Sequence, residues 1–302
     1  MISITGILCP VDFSDFSRHA LEHAAAIAKW YDAEVVTLHV GPTPAQMSPP
    51  PVCGISAALP IEVGEEEQRL MRELDAFVQP YAMTVRELSR RVEIGGPVWQ
   101  ILESAKELSA DLIVMGTHGH SGFERLMLGS TTERVLRKAS CPVLTVPRAV
   151  VSRDPNRPLV FKKIICPIDF SEASLKGLNY ALSLAQENDA CLTLVHVLER
   201  PDSGPIDDAP HPAQEPDWYL EGYASDRLTS IVPPEASKWC RLEKKILAGK
   251  PYREILRLAA DRQADLIVMG VLGRNPVDLA LFGSTTQHVV RAAACPVLTT
   301  RG

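Results

Sequence analysis

Two stretches of the chain carry the same glycine and hydroxyl residues at the same spacing. In the first, two residues separate Gly116 from Gly119, and nine more lead to Gly129, Ser130 and Thr131. Both stretches follow the apolar run LIVMG and continue into a segment with helical spacing, which predicts free backbone N–H groups at a helix N-terminus. Those N–H groups and the helix dipole both favour an anion there. The second stretch repeats the pattern with Gly270, Gly273, Gly283, Ser284 and Thr285.

The glycines and one carboxylate suggest what kind of anion would fit. Gly116 has no Cβ, so a bulky ligand could approach the end of its strand, and Gly119 could adopt a positive φ. Asp12 ends the first predicted strand, on the edge where open α/β sheets bind ligands. A carboxylate there suits a ribose hydroxyl or a purine amino group. Neither stretch contains the lysine-bearing P-loop pattern, which argues against a P-loop hydrolase.

Internal repetition indicates the domain organisation. Residues 9–40 match 166–197 at an offset of 157, and residues 110–119 match 264–273 at an offset of 154. Identities at this density indicate a duplication. We therefore predict two domains, residues 1–150 and 151–302, with a short polar linker at 151–160.

Hydrophobic patterns predict the same elements in each half. Strands that are apolar throughout alternate with amphipathic helices, which is typical of parallel βαβ units buried on both faces. The fold class is therefore α/β, with two tandem doubly wound domains, each a five-stranded parallel sheet flanked by helices. The main predicted strands are 3–9, 34–40, 87–95, 112–116 and 142–146, repeated at 162–166, 191–197, 240–249, 266–270 and 296–300. Helices are predicted at 15–31, 64–81, 97–109, 172–187 and 251–263, and from each GSTT.

Composition limits the classes of function. The 302 residues are 46% hydrophobic and 23% charged, with a net charge of −6, so no basic field favours nucleic acid or an anionic membrane. The apolar runs are too short to span a bilayer, and no secretory signal is visible. Seven cysteines without a C-x-x-C spacing indicate reduced thiols and a cytoplasmic protein. The proline-rich segments 42–60 and 198–216 are interpreted as mobile loops or partner-binding loops, with the choice left open.

Other candidate residues give weaker signals. His118 and His120 flank Gly119, but no third ligand lies at a suitable spacing, so no metal site is predicted. His19 and His23 share one face of a predicted helix and are interpreted as exposed surface. No pair of residues presents itself as nucleophile and base, so no catalytic residue is predicted.

Together these motifs resemble those of the universal stress protein family. They are LIVMG before the long glycine pattern, Pro10-x-Asp12 at the first strand, and CPVL at the end of each half. The resemblance covers nearly the whole chain as a tandem pair, and the glycine pattern resembles that of the branch that binds ATP. It implies a strand order of 3-2-1-4-5 and an adenine nucleotide between the first and fourth strands.

The resemblance also implies a role for each matching position. Asp12 and the backbone of Val40 would contact adenine and ribose, and Gly116 would lie under the ribose. The phosphates would be held by Gly119, Gly129, Ser130 and Thr131. The implied ligand is ATP or ADP, with or without Mg²⁺. The matching second set is Asp169, Val197, Gly270, Gly273, Gly283, Ser284 and Thr285.

The two glycine loops differ in sequence. Pro276 replaces Gly122, and Leu279 replaces Arg125. Proline fixes φ and removes a donor, so the second loop is expected to take another path. Arg274, at the position of His120, would restore some positive charge. The first site is therefore expected to hold nucleotide more readily.

Two classes of function stay open, and the absence of an apparent general base favours the first of them. The first is a nucleotide-binding stress-response regulatory protein, acting through conformation or partner binding. The second is a slow ATPase or adenylate-transfer enzyme, and a small-molecule-binding stress module is a third, weaker interpretation. We expect the edge strands at 142–147 and 296–300 to pair the two halves as a pseudo-dimer, with homodimerisation of whole chains in addition. The protein partner is unknown.

Overall fold

The computed structural model describes residues 2–43, 63–119, 128–147, 159–199, 217–271 and 283–301. The chain divides into two compact units. One contains residues 3–159, and the other contains residues 160–302 together with residues 1–2. The two units repeat the same order of helices and strands.

The first unit is a parallel five-stranded sheet with helices between its strands. Its strand order is β3-β2-β1-β4-β5, and each neighbouring pair is parallel. The elements are β1 (Gly6–Val11), α1 (Asp15–Tyr31), β2 (Glu34–Gly41), α2 (Val63–Val78), β3 (Glu87–Ile94), α3 (Pro97–Glu107), β4 (Leu112–Gly116), α4 (Ser130–Lys138) and β5 (Val143–Val146).

The second unit repeats this topology. Its strand order is β8-β7-β6-β9-β10, again parallel throughout. The predicted doubly wound class and the order 3-2-1-4-5 are therefore confirmed in both halves. The elements are β6 (Lys163–Pro167), α5 (Glu172–Asn188), β7 (Cys191–Glu199), α6 (Asp217–Ser230), β8 (Arg241–Gly249), α7 (Pro251–Arg262), β9 (Leu266–Gly270), α8 (Ser284–Ala292) and β10 (Val297–Thr300).

Local capping explains where the first helix of each half begins and ends. The hydroxyl of Ser14 accepts the N–H of Ser17 before α1, and Ser171 caps α5 in the same way. Both helices are followed by a capping aspartate in the left-handed conformation, Asp32 and Asp189. Such caps satisfy backbone groups that a helix end otherwise leaves unpaired, so the sequence fixes these boundaries locally.

A carboxylate fixes the start of the central strand in each half. Asp111 Oδ2 accepts the N–H of Thr5 at 2.7 Å and of Gly6 at 3.1 Å. Asp265 holds the amides of Lys162 and Lys163 at 2.9 and 3.0 Å. The carboxylate thus bonds the amide of the first residue of each strand and that of the residue before it. Strand β1 begins at Gly6, where the sequence predicted residue 3, and β6 begins at residue 163.

No helix in the described ranges is long and apolar enough to cross a membrane.

Candidate functional site

The carboxyl edge of the first sheet brings together two segments more than a hundred residues apart. Asp12 directly follows β1, and Gly119 lies three residues beyond β4. A Cβ placed on Gly119 would lie 2.5 Å from Oδ2 of Asp12. The loop after β4 therefore touches the carboxylate at the end of β1, and only glycine allows this approach without a shift of one of them.

Asp12 is held in place by the start of α1. Its Oδ1 accepts the backbone N–H of Ser14 at 3.1 Å and the hydroxyl of Ser14 at 2.5 Å. Asp169 holds Ser171 in the same way, at 3.0 and 2.6 Å. One oxygen of each aspartate thus stabilises a turn, a role that the Asp-x-Ser spacing could have indicated.

The structure explains the glycine at the end of β4 by close packing, and not by the approach of a ligand that the sequence suggested. A Cβ on Gly116 would lie 2.9 Å from Cβ of Phe16 and 3.2 Å from its carbonyl carbon. A Cβ on Gly270 would lie 2.8 Å from the backbone of Ala173 and Ser174. The space of the missing side chain is therefore filled by the first helix of each half, and not left open for a ligand.

The amide of Gly129 is also not free, which corrects the prediction. It donates to the carbonyl of Thr117 at 2.8 Å, and the amide of Gly283 donates to Val271 at 3.1 Å. Helix α4 begins at Ser130. The first amide with an acceptor in this turn is that of Glu133, which donates to the carbonyl of Gly129. The amides left without an acceptor inside the helix are those of Ser130, Thr131 and Thr132.

The fourth residue of GSTT anchors the helix to the strand. Thr132 Oγ1 donates to the carbonyl of Gly116 at 2.9 Å, and Thr286 Oγ1 donates to Gly270 at 2.8 Å. In both tetrads the serine is exposed, the next threonine is half-buried and the last threonine is buried. In each tetrad the glycine and the last threonine therefore pack against the end of the strand or the residue after it, whereas the serine and the first threonine are the two outward residues.

The strand beside the central one carries a histidine followed by a valine near its end in each half. Val40 lies one residue before the end of β2, and Val197, its counterpart in the repeat, lies two residues before the end of β7. Nδ1 of His39 donates to the carbonyl of Val11 at 2.9 Å. Burial lowers the pKa of His39, while that hydrogen bond and the charge of Asp12 oppose the shift.

One polar pair occurs in the first half alone. Thr117 Oγ1 lies 2.9 Å from Nδ1 of His118. Nε2 of His118 is buried and has no hydrogen-bond partner among the residues that the structure describes. The sequence places Val271 and Leu272 at these positions in the second half, so its loop begins with apolar side chains.

Several predicted residues lie outside the described ranges. They include one predicted site residue, Gly273, residues 44–60 and 200–216 of the two proline-rich segments, and the residues that distinguish the two glycine loops. Those residues are His120, Gly122, Arg125, Arg274, Pro276 and Leu279.

The histidines on α1 are not simply exposed, so that prediction was wrong. His23 is only 1% exposed, and its Nδ1 donates to the carbonyl of His19 at 2.7 Å. His19 pairs with Glu22, which also accepts the hydroxyl of Tyr81. The helical spacing placed both histidines on one face, but α1 packs that face partly inward.

The fold and this edge define a class of protein. The chain is a tandem α/β protein in which each doubly wound half has a glycine–hydroxyl helix start at the carboxyl edge of its sheet, the same edge at which an aspartate follows its first strand. The sequence profile described as the universal stress protein family matches residues 4–147 and 161–301. The chain therefore belongs to the universal stress protein family.

Similar proteins cover either one half or the whole chain. A universal stress protein of Methanocaldococcus jannaschii is 37% identical over 145 residues, which is 46% of this chain and 80% of the relative. One of Mycolicibacterium smegmatis is 26% identical over 308 residues, covering 98% of this chain and 97% of the relative. The crystal structure of a universal stress protein from Archaeoglobus fulgidus covers 98% of both chains with a TM-score of 0.66 at 21% identity, a likeness of fold.

Proposed function

We propose that the chain binds an adenine nucleotide, ATP or ADP, at the carboxyl edge of its sheets. We further propose that it acts in the cytoplasm as a stress-response regulatory protein, through nucleotide-dependent conformation or partner binding. One observation carries the proposal. The amides of Ser130, Thr131 and Thr132 start α4 beside a loop whose Gly119 touches Asp12.

The chemistry of this arrangement suits a nucleotide. Three amides without an acceptor inside the helix, at the positive end of the helix dipole, favour a phosphate group. Ser130 and Thr131 are the outward members of the tetrad and can add hydroxyl donors. Asp12 and the backbone of Val40, at the ends of neighbouring strands, would receive the nucleoside.

The remaining proposed contacts follow from position. Gly116 would lie beside the ribose through its backbone, while Gly119 and Gly129 would let the chain approach the phosphates. In the second half the proposed set is Asp169, Val197, Gly270, Gly273, Gly283, Ser284 and Thr285. Whether Mg²⁺ accompanies the phosphates is to be tested by titration with and without the ion.

The two sites are proposed to differ in affinity. The first half offers Thr117 and His118 at the start of the loop, where the second half has Val271 and Leu272. Polar side chains at this position can donate hydrogen bonds to an anionic ligand, and apolar side chains cannot. We therefore propose that the first site binds nucleotide more tightly.

Calorimetric titration of the full chain with ATP and ADP tests the proposal directly. We expect saturable binding with at least one site per chain, and mass spectrometry of ligand retained by the native protein should identify an adenine nucleotide. Inorganic sulfate at equal ionic strength is the control for non-specific anion binding. The absence of ATP and ADP binding at millimolar concentration would contradict the proposed function.

The assembly is a separate proposal. The edge strands β5 and β10 are expected to bring the two halves together as a pseudo-dimer, and whole chains are expected to form homodimers. Residues 1–150 and 151–302, produced separately, should associate when mixed. Two fragments that stay monomeric at high concentration would contradict this.

A further inference from the structure

The turn after the central strand contains a bulky residue in an unfavourable conformation. Phe13 has a φ of 64°, and Phe170 in the second half has the same value. The other non-glycine residues with positive φ in the described ranges lie at the ends of helices, where this conformation is common. A side chain as large as phenylalanine is rarely found in the left-handed region, and strain of this kind is concentrated at functional sites.

The strained turn is fixed on both sides. Asp12 precedes Phe13 and accepts two hydrogen bonds from Ser14, which follows it. Ser14 is also the N-cap of α1. The same arrangement surrounds Phe170. Because the surrounding bonds determine the turn so fully, the phenylalanine keeps the left-handed conformation in both halves.

This conformation places the ring on a histidine of the next strand. The ring of Phe13 stacks on His39 with centroids 4.2 Å apart and planes 22° apart. In the second half the rings of Phe170 and His196 lie 4.9 Å apart. We call Phe13 with His39, and Phe170 with His196, the phenylalanine–histidine pairs.

Each histidine also bonds a backbone carbonyl at the end of the central strand or one residue beyond it. Nδ1 of His39 bonds the carbonyl of Val11, and Nδ1 of His196 bonds the carbonyl of Ile168 at 2.6 Å. A carbonyl oxygen only accepts, so the proton is on Nδ1 in both rings. His39 therefore contacts the residue before Asp12 through a hydrogen bond and the residue after it through stacking, while Val40 follows His39 directly.

We propose that the two phenylalanine–histidine pairs are positioning residues that set the spacing between Asp12 and Val40, and between Asp169 and Val197, for the nucleoside part of the ligand. This inference rests on the proposed function. The pairs join the turn after β1 to β2, and the turn after β6 to β7, and these are the segments that would contact the nucleoside. The phosphates depend on α4 and α8 instead. Loosening the pairs therefore affects recognition of the base more than recognition of the phosphates.

The test uses the full chain with matching substitutions in both halves, so that it does not depend on which half binds. Phe13→Gly with Phe170→Gly removes the rings and accepts the left-handed conformation without strain. His39→Phe with His196→Phe keeps a ring and removes the N–H donor. Phe13→Tyr with Phe170→Tyr keeps the stacked ring and is the conservative control. Thermal unfolding of each variant shows whether it is folded. If the variant with both phenylalanines replaced by glycine does not fold, the variant with both histidines replaced by phenylalanine provides the test.

The readouts are the affinities for ATP and for GTP, measured by calorimetry and by competition. We expect the glycine pair to bind ATP about two- to tenfold more weakly, the range that one aromatic pair is worth, with GTP binding unchanged. The tyrosine pair should bind as the unaltered protein does. The inference would be overturned by unchanged ATP affinity in the variant with both phenylalanines replaced by glycine and in the variant with both histidines replaced by phenylalanine. Equal losses of affinity for ATP and for GTP would overturn it as well. If the unaltered protein binds neither nucleotide, the proposed function fails first.

Discussion

Replacing Ser130 by proline tests whether phosphates contact the start of α4. Proline is favoured at the first position of a helix, because the amide there has no partner within the helix. Gly129 has φ −56° and ψ 137°, which suits a residue before proline. Ser130 is exposed, so the substitution removes one N–H and one hydroxyl with little effect on packing. The free energy of unfolding should change by no more than about 0.5 kcal/mol.

The expected loss of affinity follows from the bonds removed. A hydrogen bond to a charged group is worth about 1.5–3 kcal/mol, so losing the amide should weaken ATP binding by about tenfold to a hundredfold. Ser130→Ala keeps the amide and removes only the hydroxyl, so its loss of affinity should be smaller than that of Ser130→Pro, which removes both donors. Calorimetry gives both affinities, and urea unfolding of the same samples gives their stabilities.

The second half supplies a matched control. Gly283 precedes Ser284 with φ −51° and ψ 133°, so Ser284→Pro fits equally well. If both halves bind, each proline variant should lose the contribution of one site. ATP affinities within twofold of the unaltered protein for both Ser130→Pro and Ser284→Pro would refute the assignment of the phosphates to these helix starts.

Three further predictions concern stability, pH and turnover. Thr132→Val leaves the carbonyl of Gly116 without its hydroxyl donor and should lower the free energy of unfolding by about 1 kcal/mol. Thr131→Val is the control, expected within about 0.5 kcal/mol of the unaltered protein in urea unfolding. Burial lowers the pKa of His39, so the fold favours its neutral ring; its contribution to stability is present above pH ~6.5 and is lost as the pH falls below that. In urea unfolding, the free energy of unfolding should differ less between pH 7.5 and pH 5.5 for His39→Phe than for the unaltered protein. The same pH dependence in both proteins would contradict this. ATP turnover should stay well below about 10 per second, and a phosphate-release assay showing faster saturable hydrolysis would identify an enzyme.

The sequence predicted the elements well where the determinants are local. Helix α1 spans residues 15–31 as expected, because its apolar spacing and its cap at Ser14 both lie within the segment. The run LIVMG is buried throughout in β4, as expected for a parallel strand covered on both faces. The start of β1 could not be located in this way, since the carboxylate that bonds its first amide belongs to Asp111, over a hundred residues away.

The candidate site shows the same limit. Spacing placed Gly129 at a helix start, but it could not show that the chain turns back so that Thr117 accepts the amide of that glycine. Spacing also marked Gly116 without showing that Phe16 fills the space of its missing side chain. A structural role for Thr132 could have been predicted, because the fourth residue of GSTT is the same in both halves.

The packing of the glycines bears on how the repeated motif would change over time. Gly270 and Gly283 lie so close to neighbouring backbone atoms that a side chain at either position would force a rearrangement. Thr286 joins helix to strand in the same half. These residues would stay under selection for folding even in a half that had lost its ligand, whereas the outward positions Ser284 and Thr285 would be free to drift. Selection for the proposed binding would therefore act on those two positions and their counterparts, whereas selection for folding acts on the glycines that make the motif easy to recognise.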